Sequence, residues 1–363
     1  MKVAIVHDWL TNMGGAERVI SYLHSLFPTA PIYTLVYNED KMDDEFKEMD
    51  IRTSFLQKIP FSKTNYQKLL PLMPLAVEQF DFSEYDLVIS SSTSVAKGII
   101  TNTDTVHICY CNTPMRYAWD MYHFYRKDKN PIFRGIISII MNYIRIWDRV
   151  SADRVDYFIA NSNNVAKRIK KHYRRESKVI YPPVNTDFYT PNDKSEDFYL
   201  VVSRLVPYKR IDIVIKAFNQ LGLPLKIIGD GSEFDNLKNI ARDNIEFKGR
   251  VSDQEVRNYY RKCKAFIFPG EEDFGITPVE AQACGKPVIA YGKGGVLETI
   301  IDGETGKFFY QAKVESLLAA VKEFEKDIDS YDSETIRNHA LKFSRDEFKE
   351  KIINLVEEAY KGY

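Results

Sequence analysis

Apolar residues in this chain gather in short unbroken runs, each followed by a stretch with helical spacing. Near the start, Val3 to Val6 is continuously apolar and reads as a buried strand. A loop and the pair Gly14–Gly15 follow, and then Val19, Ile20, Leu23, Leu26 and Phe27 recur at helical intervals. Further strand-like runs are PIYTLV, DLVIS, TVHICYC and YFIAN. Continuous apolar runs separated by helices are what a parallel sheet covered on both faces requires. The scheme restarts at FYLVVSRL and continues through LKIIG, IEFKG, AFIFPG and PVIAY. Between the halves lies YPPVNTDFYTPNDKSED, residues 181–197, rich in Pro, Asn and Asp and without period, which reads as an interdomain linker. The pattern predicts an α/β protein of two Rossmann-like, doubly wound parallel-sheet domains, 1–183 and 184–344, with a ligand cleft facing the C-terminal ends of both sheets. SRDEFKEKIINLVEEAY opens with a capping box, Ser344 to Glu347, and puts Phe348, Ile352, Leu355 and Ala359 on one helical face. This terminal helix, 345–363, is expected to pack back on the first domain.

Length and composition fit two ordinary domains: 363 residues, 44% hydrophobic and 28% charged. A net charge of −1 gives the whole chain no bias toward nucleic acid. Locally the balance differs. From Tyr122 to Arg175 there are 13 Lys or Arg against 4 Asp or Glu, a net of +9, which leaves −10 for the remainder. Within this segment FRGIISIIMNYIRIW is apolar but shorter than the roughly 18 residues of a membrane span. Two readings stand side by side: a core helix next to a solvated basic surface, or a helix lying on an anionic membrane face. Upstream, RTSFLQKIPFSKTNYQKLLPLMP also mixes basic with large apolar residues, which favours the second. The chain starts directly on a strand and shows no signal peptide, so a cytoplasmic protein is expected, with contact at the inner face of the membrane as the option. Cys109 and Cys111 alternate along one apolar run, and no partners at zinc spacing accompany them. With Cys263 and Cys284 they suggest neither a disulfide framework nor a metal site.

Four stretches can carry chemistry. MGGAE, residues 13–17, puts two glycines between a strand and a helix, which suits an anion at the helix N-terminus or simply a tight turn. It is not the dinucleotide fingerprint, which argues against an NAD-dependent oxidoreductase. SRLVPYKR, residues 203–210, sets Arg204 and Lys209 at the C-terminal edge of a strand, either for a phosphate group or as a solvated loop. EEDFGITPVEAQACGKPVIA, residues 271–290, contains a capping-box signature: Thr277 as N-cap, Pro278 at the first helical position, Glu280 as the reciprocal partner, and Gly285 past the end. Capping accounts for Glu280 but not for three acids and Phe-Gly before a helix start. Acids that accept sugar hydroxyls beside cations that hold phosphates suit a sugar nucleotide. Finally, HICYCNTPMRYAWDMYHFY, residues 107–125, ends a strand in polar groups and aromatic rings, which fits a carbohydrate face or a buried aromatic cluster.

In this order, GGAE, SRLVPYK and EEDFGITPVEAQACGKPVIA resemble retaining GT-B glycosyltransferases of family 4, and the resemblance extends over essentially the whole chain. YCNTPMRYAWD further resembles a branch that builds bacterial surface polysaccharides, often mannosyltransferases that use GDP-mannose. The resemblance implies a metal-independent hexosyltransferase with no cofactor. Its partners would be a nucleotide sugar donor and a glycan or polyprenyl-linked acceptor. It implies that Glu272 accepts donor-sugar hydroxyls with the Phe274 and Gly275 backbone, that Glu280 holds the ribose, and that Arg204 and Lys209 neutralise the diphosphate. Gly14, Gly15, Ile276 and Thr277 would offer amides to the phosphates, and Arg250 and Val251 would complete the donor site. Asn112, Arg116 and Trp119 would lie on the acceptor side. The branch commonly has His where this chain has Asn112, and Asn cannot titrate. Either Asn112 keeps a sugar contact or the essential group lies elsewhere, with His7 and His107 nearby and His107 inside an apolar run. A sugar-nucleotide epimerase and a non-catalytic nucleotide-sugar-binding protein stay open as alternatives.

Overall fold

The computed structural model describes residues 1–127, 130–192 and 194–361. The chain divides into two compact units, Met1–Tyr181 together with the C-terminal segment from Lys349 onward, and Pro182–Phe348.

The first unit is built on seven strands: β1 (Val3–His7), β2 (Ile32–Thr34), β3 (Ile51–Thr53), β4 (Leu87–Ser92), β5 (Val106–Cys111), β6 (Tyr157–Ala160) and β7 (Lys178–Val179). They are ordered β3-β2-β1-β4-β5-β6-β7, and every pair is parallel. Residues of β4 and β5 are buried throughout, which explains the apolar runs Leu87–Ile89 and Ile108–Cys111 within them. Ala4, Val6 and Val88 face one core with Val95, Ile99 and Ile144. Cys109 and Cys111 face the other, with Phe158, Val165, Ile169 and Tyr173. All four cysteines are free and buried. His107 is fully enclosed on β5, where its Nε2 pairs with Ser90 Oγ at 2.8 Å. It is a core residue.

In the basic segment, the helix Pro131–Ser151 turns Ile144 and Asp148 inward. Asp148 is buried in a pair with Lys97 (2.5 Å) and also accepts from Tyr173 Oη at 3.0 Å. A core helix beside a solvated basic surface describes only this side. The opposite side carries large exposed apolar residues, including Ile132 and Ile139. No helix among the described residues is long and apolar enough to cross a membrane.

The second unit has six strands: β8 (Tyr199–Val202), β9 (Leu225–Ile228), β10 (Ile245–Gly249), β11 (Ala265–Phe268), β12 (Val288–Tyr291) and β13 (Gly306–Phe309). Their order is β10-β9-β8-β11-β12-β13, again all parallel. Tyr199, Val201, Ile227, Ile267 and Ile289 from the sheet pack with Ile211, Val214, Phe218, Leu317 and Phe324 from covering helices. The segment expected to be a linker is mostly strapped to this unit. Val184 N donates to Phe343 O at 2.9 Å and Glu196 N to Lys262 O at 2.7 Å, while the buried Tyr189 ring meets Tyr260 at 5.8 Å. Its lack of period reflects backbone and ring anchoring without a regular element. The terminal helix, Arg345–Lys361, starts as the capping signature predicts, with Ser344 Oγ accepting from Glu347 N at 3.3 Å. Phe348, Ile352, Leu355 and Ala359 are all buried, and Glu358 pairs with Lys178 of β7.

Both sheets wind outward from their first strand and then return to place the fourth strand beside it. The switch points lie between β1 and β4 and between β8 and β11. In doubly wound sheets, ligands bind beyond the C-terminal ends of the strands at such points.

Candidate active site

In the second unit, the two stretches singled out for donor chemistry leave from the strands that flank the switch point. Beyond β8 come Arg204 and a single 3-10 turn, Pro207–Lys209, before the helix Ile211–Leu221. Beyond β11 comes the acidic loop, then the helix Ile276–Ala283. Here Lys209 Nζ and Glu272 Oε1 meet in a direct ion pair. The lysine side chain is 13% exposed and that of Glu272 27%, so the pair is partly shielded from water, though open to a ligand. Arg204 is exposed, its Nη2 donating to Tyr208 Oη at 2.9 Å.

The helix after the acidic loop starts earlier than its capping signature predicts. Gly275, not Thr277, is the N-cap, with φ 91° and ψ 83° and no side-chain cap bond. A positive φ is readily adopted only by glycine, which is why Phe-Gly precedes the helix. Pro278 then falls within the first turn, where its missing N–H removes no helical bond. The sequence therefore allowed two starts, and the backbone takes the earlier one. Thr277 and Glu280 form no capping box. Glu280 is buried and its Oε2 accepts from Tyr260 Oη at 3.1 Å. Burial pushes the Tyr260 phenol well above its ordinary pKa, and the Glu280 charge adds to this. Phe274 is buried against Phe343, with rings 5.6 Å apart. Ile276 and Thr277 are half-buried in the first turn. Arg250 and Val251 follow β10, two strands from β8, with Arg250 exposed and Val251 half-buried.

Sequence reasoning missed the support of this loop. Lys293–Gly295, just past β12, lies against it: Gly295 N donates to Glu272 O at 2.9 Å, and Lys293 Nζ pairs with Glu271 at 3.0 Å. A Cβ on Gly294 would fall 2.4 Å from Glu272 O. The signal was present as two glycines directly after a buried strand, where one backbone must approach another.

In the first unit, Gly14 is the extended N-cap of the helix Gly15–Leu26. Glu17, in its first turn, comes within 3.6 Å of His7 Nε2. His7 lies at the end of β1, and its Nδ1 donates to Ser91 O at 3.1 Å. Burial opposes its protonation, but the Glu17 contact and the charges of Glu17 and Asp8 outweigh it and raise its pKa above 6.5. Asp8 was also missed. Its buried carboxylate accepts from the backbone N–H groups of Thr93, Ser94, Val95 and Ala96 at 2.6–2.9 Å, and from Thr93 Oγ1. That fixes the loop after β4. Asn112 ends β5 almost buried, with Nδ2 donating to Ser91 Oγ at 2.9 Å. Arg116 is half-buried in the following loop. Trp119 commits its indole N–H to the buried Asp148 at 2.7 Å and lays its ring on His172, 4.6 Å away.

The chain thus carries two Rossmann-like units, with a cation and a carboxylate paired at the switch point of the second. Residues 13–188 match the model of Glycosyltransferase Family 4, and residues 185–341 match that of Glycosyl transferases group 1. The chain belongs to these GT-B glycosyltransferases. An uncharacterized glycosyltransferase of Methanocaldococcus jannaschii is 34% identical over 167 residues, 45% of this chain and 47% of that protein. An alpha-1,3/1,6-mannosyltransferase of Dictyostelium discoideum is 23% identical over 290 residues, 65% of this chain and 66% of that protein. Anabaena HepE, solved in complex with UDP, has 18% identity and a TM-score of 0.75, covering 99% of this chain and 100% of its own. At that identity the likeness establishes the fold. The chain spans about half the length of the first curated relatives it matches.

Proposed function

We propose that this chain transfers a hexose from a nucleoside diphosphate sugar to a glycan or polyprenyl-linked acceptor, with retention at the transferred carbon and without a divalent metal. The observation that carries this is the Lys209–Glu272 pair beyond β8 and β11. Together the two side chains match both ends of such a donor. Donor binding separates them: the ammonium turns to the diphosphate, and the carboxylate accepts sugar hydroxyls. Arg204 adds a second cation, and the Ile276 and Thr277 amides add donors from a helix N-terminus. As the bond from sugar to phosphate breaks, its electron pair stays on the leaving oxygen, where these groups stabilise the charge. The acceptor hydroxyl attacks from the face the phosphate leaves, and its proton goes to the departing oxygen. Glu280, steadied by Tyr260, is the group assigned to the ribose hydroxyls.

Mannose from GDP-mannose is the donor we propose, supported by the likeness to the Dictyostelium mannosyltransferase. Uridine diphosphate sugars are the comparison to run, given the HepE complex with UDP. Thermal shift of the full chain against both sets reads out the donor, because a ligand that binds only the folded form stabilises it. With the donor identified, Glu272→Ala is expected to lower kcat/KM by about 10²–10³-fold at an unchanged melting temperature. Unaltered turnover would rule out the assigned sugar contact.

A further inference from the structure

The exposed side of the Pro131–Ser151 helix carries none of the residues assigned to the donor or the acceptor. Ile132, Ile136, Ile139, Tyr143, Ile146 and Val150 recur at spacings of three and four and form one continuous stripe. Each is between 48% and 76% exposed. Single exposed apolar residues are ordinary, but a contiguous stripe of this length marks a surface that meets a partner. The helix buries its other side through Ile144 and Asp148, so the stripe faces outward.

The charge beside the stripe indicates what covers it. At the N-terminal end of the helix, His123, Phe124, Arg126, Lys127 and Arg134 line an open cavity of about 460 Å³. Phe124 and Tyr125 are exposed there as well. Among the described residues from 122 to 150 the only acid is Asp148, and it is buried against Lys97. A second copy docked on this stripe would face cations of its own sign. An apolar stripe with aromatic residues and an unbalanced basic flank matches an anionic lipid surface, which takes apolar side chains below its headgroups and cations among its phosphates.

We propose that this helix face is an interfacial docking surface for an anionic membrane, with the cavity at its N-terminal end receiving a lipid phosphate. The proposal stands independently of the transfer activity.

Flotation of the full chain tests it, with vesicles of phosphatidylcholine alone and of phosphatidylcholine mixed with phosphatidylglycerol. The wild type is expected to float with the mixed vesicles only, and binding is expected to fall as salt is added. Ile136→Asp with Ile139→Asp, and separately Arg126→Glu with Lys127→Glu and Arg134→Glu, should each weaken partitioning roughly a hundredfold. All these positions lie outside the core, so far-UV circular dichroism and the melting temperature of each variant report an intact fold. The proposal is overturned if the wild type ignores mixed vesicles, binds both kinds equally, or if folded variants bind as it does. A dimer that sedimentation velocity detects without lipid, and that Ile139→Asp dissolves, would assign the stripe to a second copy instead.

Discussion

Lys209 and Glu272 neutralise each other in a direct, partly shielded ion pair. Truncating either alone therefore frees the other charge, and on the proposed function it removes a donor contact as well. Two histidines of the first unit show how burial and neighbouring charge compete. His107 is surrounded by core, and burial lowers its pKa to about 4 against the pull of Asp156. The unfolded chain binds this proton below about pH 6.5 and the folded chain does not, so stability rises with pH between about 4 and 6.5. Replacing it as His107→Gln should flatten that part of the urea midpoint-versus-pH curve, and an unchanged slope would contradict the assignment. His7 has the opposite sign. With its pKa raised, its contribution is complete below 6.5 and is lost as pH climbs through the folded value. Asp8 carries the largest expected effect. Asp8→Asn turns amide hydrogens toward a cluster of backbone N–H groups and should cost about 3 kcal/mol in equilibrium unfolding. Nothing in the sequence pointed to Asp8, because its partners are backbone groups brought to it by a strand some eighty residues away.

At the level of elements, long apolar runs were readable and short ones were not. β4 and β5 are buried along their whole length, and the apolar residues that open β4 and fill most of β5 made them readable. Strands β3 and β7, at 3 and 2 residues, take their structure from a neighbour's hydrogen bonds and leave little trace in composition. The Ile276–Ala283 helix was legible but its start was not, since a proline in the first turn is compatible with either cap. Lys293–Gly295 holds the acidic loop through the Glu272 carbonyl and the Glu271 carboxylate, and it suggests a substitution. Gly294→Ala should cost about 2 kcal/mol from its positive φ and from the close approach to Glu272 O, and should weaken donor binding as that carbonyl moves. Gly303→Ala is the control: it has a similar φ of 78° but nothing within 4 Å. It should lower the melting temperature and leave the donor dissociation constant alone. Equal donor affinity in both variants would show that the 293–295 loop does not position Glu272.

For the whole molecule, alternating apolar runs and helical periods carried the two-unit α/β plan. The strand orders then placed Arg204, Lys209 and Glu272 around one switch point. That much of the site was legible because the loops that leave adjacent strands must converge there. Arg250 and Val251 leave β10, at the edge of the sheet two strands from β8, where the strand order alone points to no role. Trp119 is tied into the Lys97–Asp148 network, a tertiary arrangement that no local pattern encodes. On the proposed function, basic side chains and helix amides at the β8–β11 edge hold the diphosphate while Glu272 reads the sugar. A crystal structure of the full chain with its best-binding nucleotide sugar tests it most directly. Phosphate oxygens are expected within hydrogen-bond distance of Lys209 Nζ and Arg204, with the Lys209–Glu272 pair opened and a sugar hydroxyl on the Glu272 carboxylate. A donor bound elsewhere, with that ion pair still closed, would contradict it.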